Sequence, residues 1–328
     1  MTFLYTPNDP LLRLEEWGFF GIEPVTIPVP EPTVTETDET GSVVSGASTA
    51  DANTLKYKRS GIVDMAWQGE PWRVAWAPRS DGLLLGMTYR RDQGVLAWHR
   101  HPMTNGAVER VAVIPNPQTG RGQLWMMVQR VIDGETVRYI EYMTEPHEPV
   151  TANDTADYNF LDCSLSYSGD AVTEISNLDH LEGQSVQVWA DGSRHDSKTV
   201  TGGAITLDRE ASTVHVGIHT TAYVLTLPVD AGAAVGTPQG KTKMVGRASV
   251  RFVQTIGAKI GQTLQTLETV FRRQSSDLQG QPVALRAGIQ LVNFEAAHDT
   301  EGQFYVVQDI PAPMTITALV PETDGADF

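Results

Sequence analysis

The sequence predicts a mainly β protein, an antiparallel propeller-blade-like meander followed by a β-sandwich or barrel-like domain. Three observations carry that expectation. Short apolar runs of roughly four to eight residues recur, Asp-Gly and Asn-Gly dipeptides separate them, and only one stretch has helix-like spacing.

Between Ile62 and Met143 the dividing dipeptides are Asp81-Gly82, Asn105-Gly106 and Asp133-Gly134. Such pairs tolerate the positive φ angles of two-residue hairpins, so each is read as a strand reversal. The strands this predicts are Trp72 to Ala77, Leu83 to Tyr89, Gly94 to His101, Val108 to Ile114, Gln123 to Ile132 and Thr136 to Tyr142. They make residues 58–145 a propeller-blade-like β domain.

A polar hinge from Glu145 to Asp157 leads into a β-sandwich-like domain over residues 146–235. Its strand signals are SVQVWADG, which ends in the turn Asp191-Gly192, and then AITLD, TVHVGIH and AYVLTLPV. Residues 236–328 form a C-terminal β-rich segment that closes the fold, with ASVRFVQTIG, Phe304 to Gln308 and Met314 to Val320 as strands. Gly261 to Gln274 alone has helix-like spacing, through Leu264, Leu267, Val270 and Phe271.

Residues 1–57 read differently, as an acidic Pro/Thr-rich N-terminal arm. Met1 to Leu55 holds nine acids against Arg13 alone, a balance of −8 and half the net charge of −16. Alternating prolines and a Thr/Ser/Asp/Glu/Gly run make Pro28 to Asn53 an arm or linker. Ahead of it, Leu11, Leu12, Leu14, Trp17, Phe19 and Phe20 form an apolar patch that either docks on a neighbour or caps this chain's own core.

A charge of −16 argues against a surface that grips nucleic acid, which gains affinity by neutralising phosphates with Lys and Arg. The same charge suits a surface that DNA slides past, or simply keeps the protein soluble. Basic residues gather instead in Lys241 to Arg286, where eight face Glu268 and Asp277, a balance of +6 that an acidic arm of another copy would complement. No apolar run approaches the roughly 20 residues a membrane helix needs, and the N-terminus lacks the layout of a secretion signal, so no membrane anchor is expected.

The sequence predicts no catalytic, cofactor-binding or metal-ligating residue. Gly236-Thr-Pro-Gln-Gly-Lys-Thr242 is one residue short of a phosphate-binding loop, and Pro238 removes a donor. His99 and His101 share a strand face, but two ligands do not make a zinc site, and the same holds for His215 and His219. His195-Asp196-Ser197 has triad residue types in a contiguous turn that cannot take triad geometry. The lone Cys163 reads as a small buried hydrophobe.

Five of the seven tryptophans fall in one β segment, as Trp67, Trp72, Trp76, Trp98 and Trp125. Sheet-core packing explains them, with carbohydrate or subunit contact as alternatives. Trp17, Phe19, Phe20, Trp98, His99 and His101 are the candidate interface residues.

Four stretches resemble the tail nozzle proteins, also called stabilisation or tubular proteins, of short-tailed bacteriophages. They begin at Ile62 (IVDMAWQGEPWRVAWAPRSDGLLLGMTYRRDQGVLAWHRH), Gln123 (QLWMMVQRVIDGETVRYIEYM), Asn177 (NLDHLEGQSVQVWADG) and Gly302 (GQFYVVQDIPAPMTITALVPE), and together frame about Ile62 to Glu322. The resemblance implies a non-enzymatic structural virion protein in a ring, usually of six copies, around the channel for genome ejection. Its partners would be other copies of itself, tail proteins such as adaptor, portal-proximal or fibre proteins, and viral DNA passing non-specifically. It also implies a tail location after assembly in the host cytoplasm, and propeller-like β domains.

Family members are considerably longer at the front, where this chain has its acidic arm. Six strands between Ile62 and Met143 supply one or two blades, so other copies or a separate chain are expected to close the open sheet edges. A receptor-binding tail fibre or adhesin component that binds host glycan through its tryptophans is the alternative.

Overall fold

The computed structural model describes residues 26–28, 57–144, 152–229, 240–271 and 282–324. The chain is mainly β, in several antiparallel sheets, and among the described residues no sheet closes into a barrel. A short ribbon comes first, β1 (Thr26–Pro28) against β2 (Tyr57–Arg59).

The next four strands form one sheet in sequence order: β3 (Ala66–Gln68), β4 (Val74–Pro78), β5 (Leu84–Arg90) and β6 (Val95–His101). Gly82, at φ 86°, turns β4 into β5, and Gly94, at φ 63°, closes the turn that leads into β6. These positions need the left-handed backbone that glycine adopts without steric cost.

A second sheet follows from β7 (Gly106–Pro115), β8 (Gly122–Ile132) and β9 (Glu135–Tyr142). At the β8–β9 turn Asp133 and Gly134 both have positive φ, 48° and 77°, as a two-residue hairpin that matches strand twist requires. Asn105-Gly106 behaves otherwise. The chain does reverse there, with Gly106 N donating to the Met103 carbonyl at 3.3 Å, but β6 and β7 lie in different sheets. Asn105 takes φ 52°, and its amide pairs with the Val131 backbone, donating to O at 2.5 Å and accepting from N at 3.3 Å. The side chain thus extends the β7–β8 ladder while the backbone crosses between sheets.

The two sheets stack face to face. Val74, Trp76 and Leu84 from the first pack against Val108, Val111, Leu124, Met126 and Val128 from the second. Strand alternation turns Ala75, Ala77, Leu85, Met87 and Trp98 to the opposite, outer face of the first sheet, where they form their own cluster with Ile62 and Leu83. A polar relay crosses the stack: Trp76 Nε1 donates to Gln68 Oε1 at 2.9 Å, and Gln68 Nε2 donates to the Gly122 carbonyl at 2.6 Å.

The third sheet has the order β10 (Asp162–Ile175), β13 (Ile205–Ile218), β11 (Ser185–Ala190), β12 (Ser193–Thr199). The β11–β12 turn uses Asp191 and Gly192 at φ 47° and 73°, and the Asp191 carboxylate accepts from Ser212 N and Thr213 N on β13. Repeated register shifts bend β10 against β13. The sheet wraps its own core of Val186, Val188, Leu207, Val214 and Val216 under Leu178 and Leu181. This stretch, read from sequence as a sandwich or barrel, is therefore one bent open sheet.

A face-to-face sandwich occurs further along. β14 (Ala222–Leu225), β15 (Met244–Thr255), β16 (Lys259–Gly261), β17 (Glu268–Thr269), β18 (Arg286–Asn293), β19 (Tyr305–Gln308) and β20 (Thr315–Asp324) make two sheets, ordered β14-β19-β16-β17 and β18-β15-β20. Val250, Phe252, Ile260, Val292, Phe304 and Val306 fill the space between them. The helix-like spacing from Gly261 makes no helix through Phe271, the last described residue of that stretch. Leu264 is exposed, while Phe271 packs on Phe252 with ring centroids 5.0 Å apart, so these apolar residues do not line one helical face.

One buried ion pair ties the two-sheet stack to the third sheet. Arg130 is fully buried and donates to both oxygens of Glu141, at 2.6 and 2.8 Å, and to the Thr104 carbonyl at 3.3 Å. Thr104 N donates to Thr220 Oγ1 at 2.9 Å, and Thr220 Oγ1 donates to Asp162 Oδ2, also at 2.9 Å. Removing one member strands a buried charge. Arg130→Met is expected to lower unfolding free energy by about 3–5 kcal/mol in urea titrations, and Arg130→Met with Glu141→Leu to recover most of it. A loss below about 1 kcal/mol in the single variant would show that the pair does not hold the junction.

Candidate functional site

The candidate site is the two-sheet stack, with its polar centre and its two outer faces. Cross-strand register places Trp76, Gly86 and His99 in one row, with Leu84 opposite His101 in the next. His99 and His101 therefore point inward together, as alternation predicts. His99 Nδ1 lies 2.6 Å from His101 Nε2, and Thr88 Oγ1 lies 3.2 Å from His99 Nε2. Trp76 stands edge-on to both imidazoles, at centroid distances of 5.7 and 5.0 Å. Only glycine fits between them at position 86, because a Cβ there would overlap the His99 ring.

Chemically, this centre packs and hydrogen-bonds. Two imidazoles sharing one hydrogen bond are both engaged, and among the described residues no group of three His, Cys, Asp or Glu could hold a metal ion. Burial pushes His99 down to about 4 and His101 well below its ordinary 6.5, so both stay neutral in the fold at neutral pH.

The candidate interface residues fall in three places. Trp17, Phe19 and Phe20 lie outside the described residues. Trp98 is buried on the outer face of the first sheet, opposite Met87, and His99 is buried on the inner face. His101 is partly buried on that inner face beside His99. The structure thus gives Trp98 and His99 to the chain's own packing, where the sequence reading gave them to a contact surface. The aromatic alternation of Trp98-His99-Arg100-His101 does not reveal that both faces of this strand are covered.

The exposed apolar side chains are different ones. Around the first sheet's outer face stand Trp67, Tyr89 and Leu96, with Val63 and Met65 just ahead of β3 and Trp72 in the following loop. The second sheet's outer face carries Ile114, Trp125, Met127, Val131, Ile140 and Tyr142, all exposed except the half-buried Trp125, interrupted by Arg110, Gln129 and Arg138, the last paired with Glu109. Trp125 and Tyr142 pair across strands at a centroid distance of 5.2 Å. Alternation within β8 and β9 was the available signal for this second face.

A serine–histidine contact also escaped the sequence reading, since it depends on pairing across 49 positions. Ser166 Oγ sits 2.7 Å from His215 Nδ1, and His215 Nε2 is 3.1 Å from the Ala156 carbonyl. A nucleophile needs its base to carry a proton in the transition state. Burial lowers the His215 pKa and disfavours that imidazolium, and a backbone carbonyl stands where a triad has a carboxylate, so the contact is read as structural. Cys163 is pushed up to about 12, chiefly by burial, which keeps it a thiol and unreactive.

Neither protein-family models nor curated proteins give a match to this sequence. The likeness to tail nozzle proteins rests on the four stretches quoted above.

Burial lowers His195, His215 and His219 as well as His99 and His101. In the unfolded chain these imidazoles protonate near 6.5. The unfolded state therefore binds more protons below that pH, so stability is full above pH 6.5 and falls as acid is added. Asp162, raised by burial, acts with the opposite sign and favours the fold in acid. His99 alone is expected to account for roughly 2–3 kcal/mol of lost stability between about pH 7 and about pH 4.5. Chemical denaturation across that range should show the loss, and His99→Gln should flatten it; an unchanged slope in the variant would discount this residue.

Proposed function

We propose that this chain is a structural virion protein, part of the tail nozzle ring of a bacteriophage, lining or sealing the channel through which the genome is ejected. The observation that carries the reading is the two-sheet stack, which buries its shared core and yet keeps apolar side chains exposed on both outer faces. Isolated soluble domains cover such faces or make them polar, so the stack has the character of a subunit completed by neighbours. The four stretches resembling nozzle proteins support a place in the tail. The net charge of −16 supports a channel role, because an acidic lining repels phosphate and lets DNA slide. Partners on this reading are copies of itself, adaptor, portal-proximal or fibre proteins, and DNA held without sequence preference.

Exposed aromatic faces favour a second reading. Trp67 and Trp72 are 50% and 39% exposed, which is what a glycan-binding fibre or adhesin component would need. Cryo-EM of the assembled particle separates the two: six copies around a DNA channel at the lower end of the tail support the nozzle ring, and three copies at a fibre support the alternative. Tryptophan fluorescence that saturates with host glycan, and loses the response in Trp67→Ala, would count against the nozzle reading.

A further inference from the structure

The stack has two ends of unequal make-up. Its inner faces pack on each other, so its outer faces look in opposite directions. On the first sheet, exposed Val63, Met65, Trp67, Tyr89 and Leu96 surround a middle already closed by Leu85, Met87 and Trp98. On the second sheet, Ile114, Met127, Val131, Ile140 and Tyr142 stand open along all three strands. Each set presents on the order of 500 Å² of apolar-residue surface, at the upper end for the largest patch of a monomer. With a polar rim, that area approaches the roughly 800 Å² per partner of a standard stable interface.

We infer that the occupant of each face is a second copy of this chain, joined head to tail: the outer face of the first sheet in one copy packs on the outer face of the second sheet in the next. The inference rests on the ring reading above and supplies its contact surface. The inner packing uses other side chains, Val74, Trp76 and Leu84 against Val108, Leu124 and Met126, so what points to a second copy is the two outer faces themselves, unlike apolar surfaces of similar extent that look in opposite directions. A head-to-tail contact joins these two outer faces from copy to copy. It uses two different patches, so each copy added leaves one of each kind free, and the series ends only when the rotation closes a ring. A two-fold dimer through one patch would stop at two chains.

The test uses full-length chains carrying one charge on one face: Leu96→Asp on the first sheet and Ile140→Asp on the second. These side chains are 46% and 75% exposed, so neither change opens the core. Size-exclusion chromatography with light scattering reads the mass. Wild type is expected to assemble, and each variant alone to fall to the single-chain mass of 35.8 kDa. Mixed in equal amounts, the two variants should form a species of two chains and nothing larger, because one intact pair of faces remains between them. A variant that loses its cooperative melt is replaced by Trp67→Asp or Tyr142→Asp on the same face.

Three results overturn the inference: a monomeric wild type, assembly by either variant as in wild type, or a mixture that stays monomeric. The first two mean that other residues of the chain, or another protein, cover these faces. A ring in the particle built through other surfaces would leave the nozzle reading standing. Head-to-tail assembly of a protein that is absent from the tail would do the reverse.

Discussion

The contact that most of the N-terminal architecture depends on is the one between the first two sheets. Trp76 sits at its centre, packed in the inter-sheet core and held at its indole N–H by Gln68, which in turn reaches the Gly122 carbonyl of the other sheet. A buried indole needs such a partner, and a partner on a neighbouring strand fixes the ring's orientation. Its cross-strand neighbour is Gly86, where a Cβ would overlap the His99 ring, so the space that glycine leaves holds His99. His101 follows, one alternation further along β6 and within hydrogen-bond distance. The histidines that look like a ligand pair in the sequence are thus filling for a core whose size Trp76 sets.

Strand positions were largely legible because turn chemistry is local. The expected strands between Trp72 and Tyr142 end within about two residues of the observed ones, and Asp133-Gly134 and Asp191-Gly192 form the tight turns their residues favour. What the dipeptides do not encode is which strands share a sheet. Asn105-Gly106 has the same local signal, yet there the chain leaves one sheet for another, because the Asn105 amide finds its partners 26 residues away at Val131. The longest miss was β10, whose sequence DCSLSYSGDAVTEI carries too few apolar residues to alternate visibly and enters the sheet with Cys163 at φ 49°. It is a strand because the bent partner β13 offers it a ladder, a tertiary reason that no local pattern contains.

The candidate surface was legible only in part, for the same reason. Tryptophan enrichment marked the right segment but not the right residues. Trp76 and Trp98 are buried on opposite faces of the first sheet, while Trp67 and Trp72 remain half exposed. Position in the sheet does not decide exposure, since Trp67 on β3 and Trp98 on β6 both lie on edge strands: Trp98 packs in the cluster of Ala75, Ala77, Leu85 and Met87, and Trp67 stands outside that cluster. The apolar row on β8 and β9 could be written down from alternation. That its inward side is the covered one follows only from the packing of Val128 and Met126 on the first sheet.

The two halves of the described chain solve the edge-and-face problem differently. The C-terminal sheets bury Phe252, Ile260, Phe304 and Val306 between them, and the third sheet bends over its own core, so each of these units closes one apolar face internally. The first two sheets also close one face each, but their outer faces still carry large apolar side chains, up to Ile140 at 75% exposure. An open stack of this kind keeps its strands in place through one shared core and leaves its outward faces for association. The buried Arg130–Glu141 pair then matters beyond its own energy, because it fixes where the stack sits on the third sheet through Thr104, Thr220 and Asp162. A charge pair tolerates little misplacement in an apolar setting, so it sets the orientation in which those outward faces are presented.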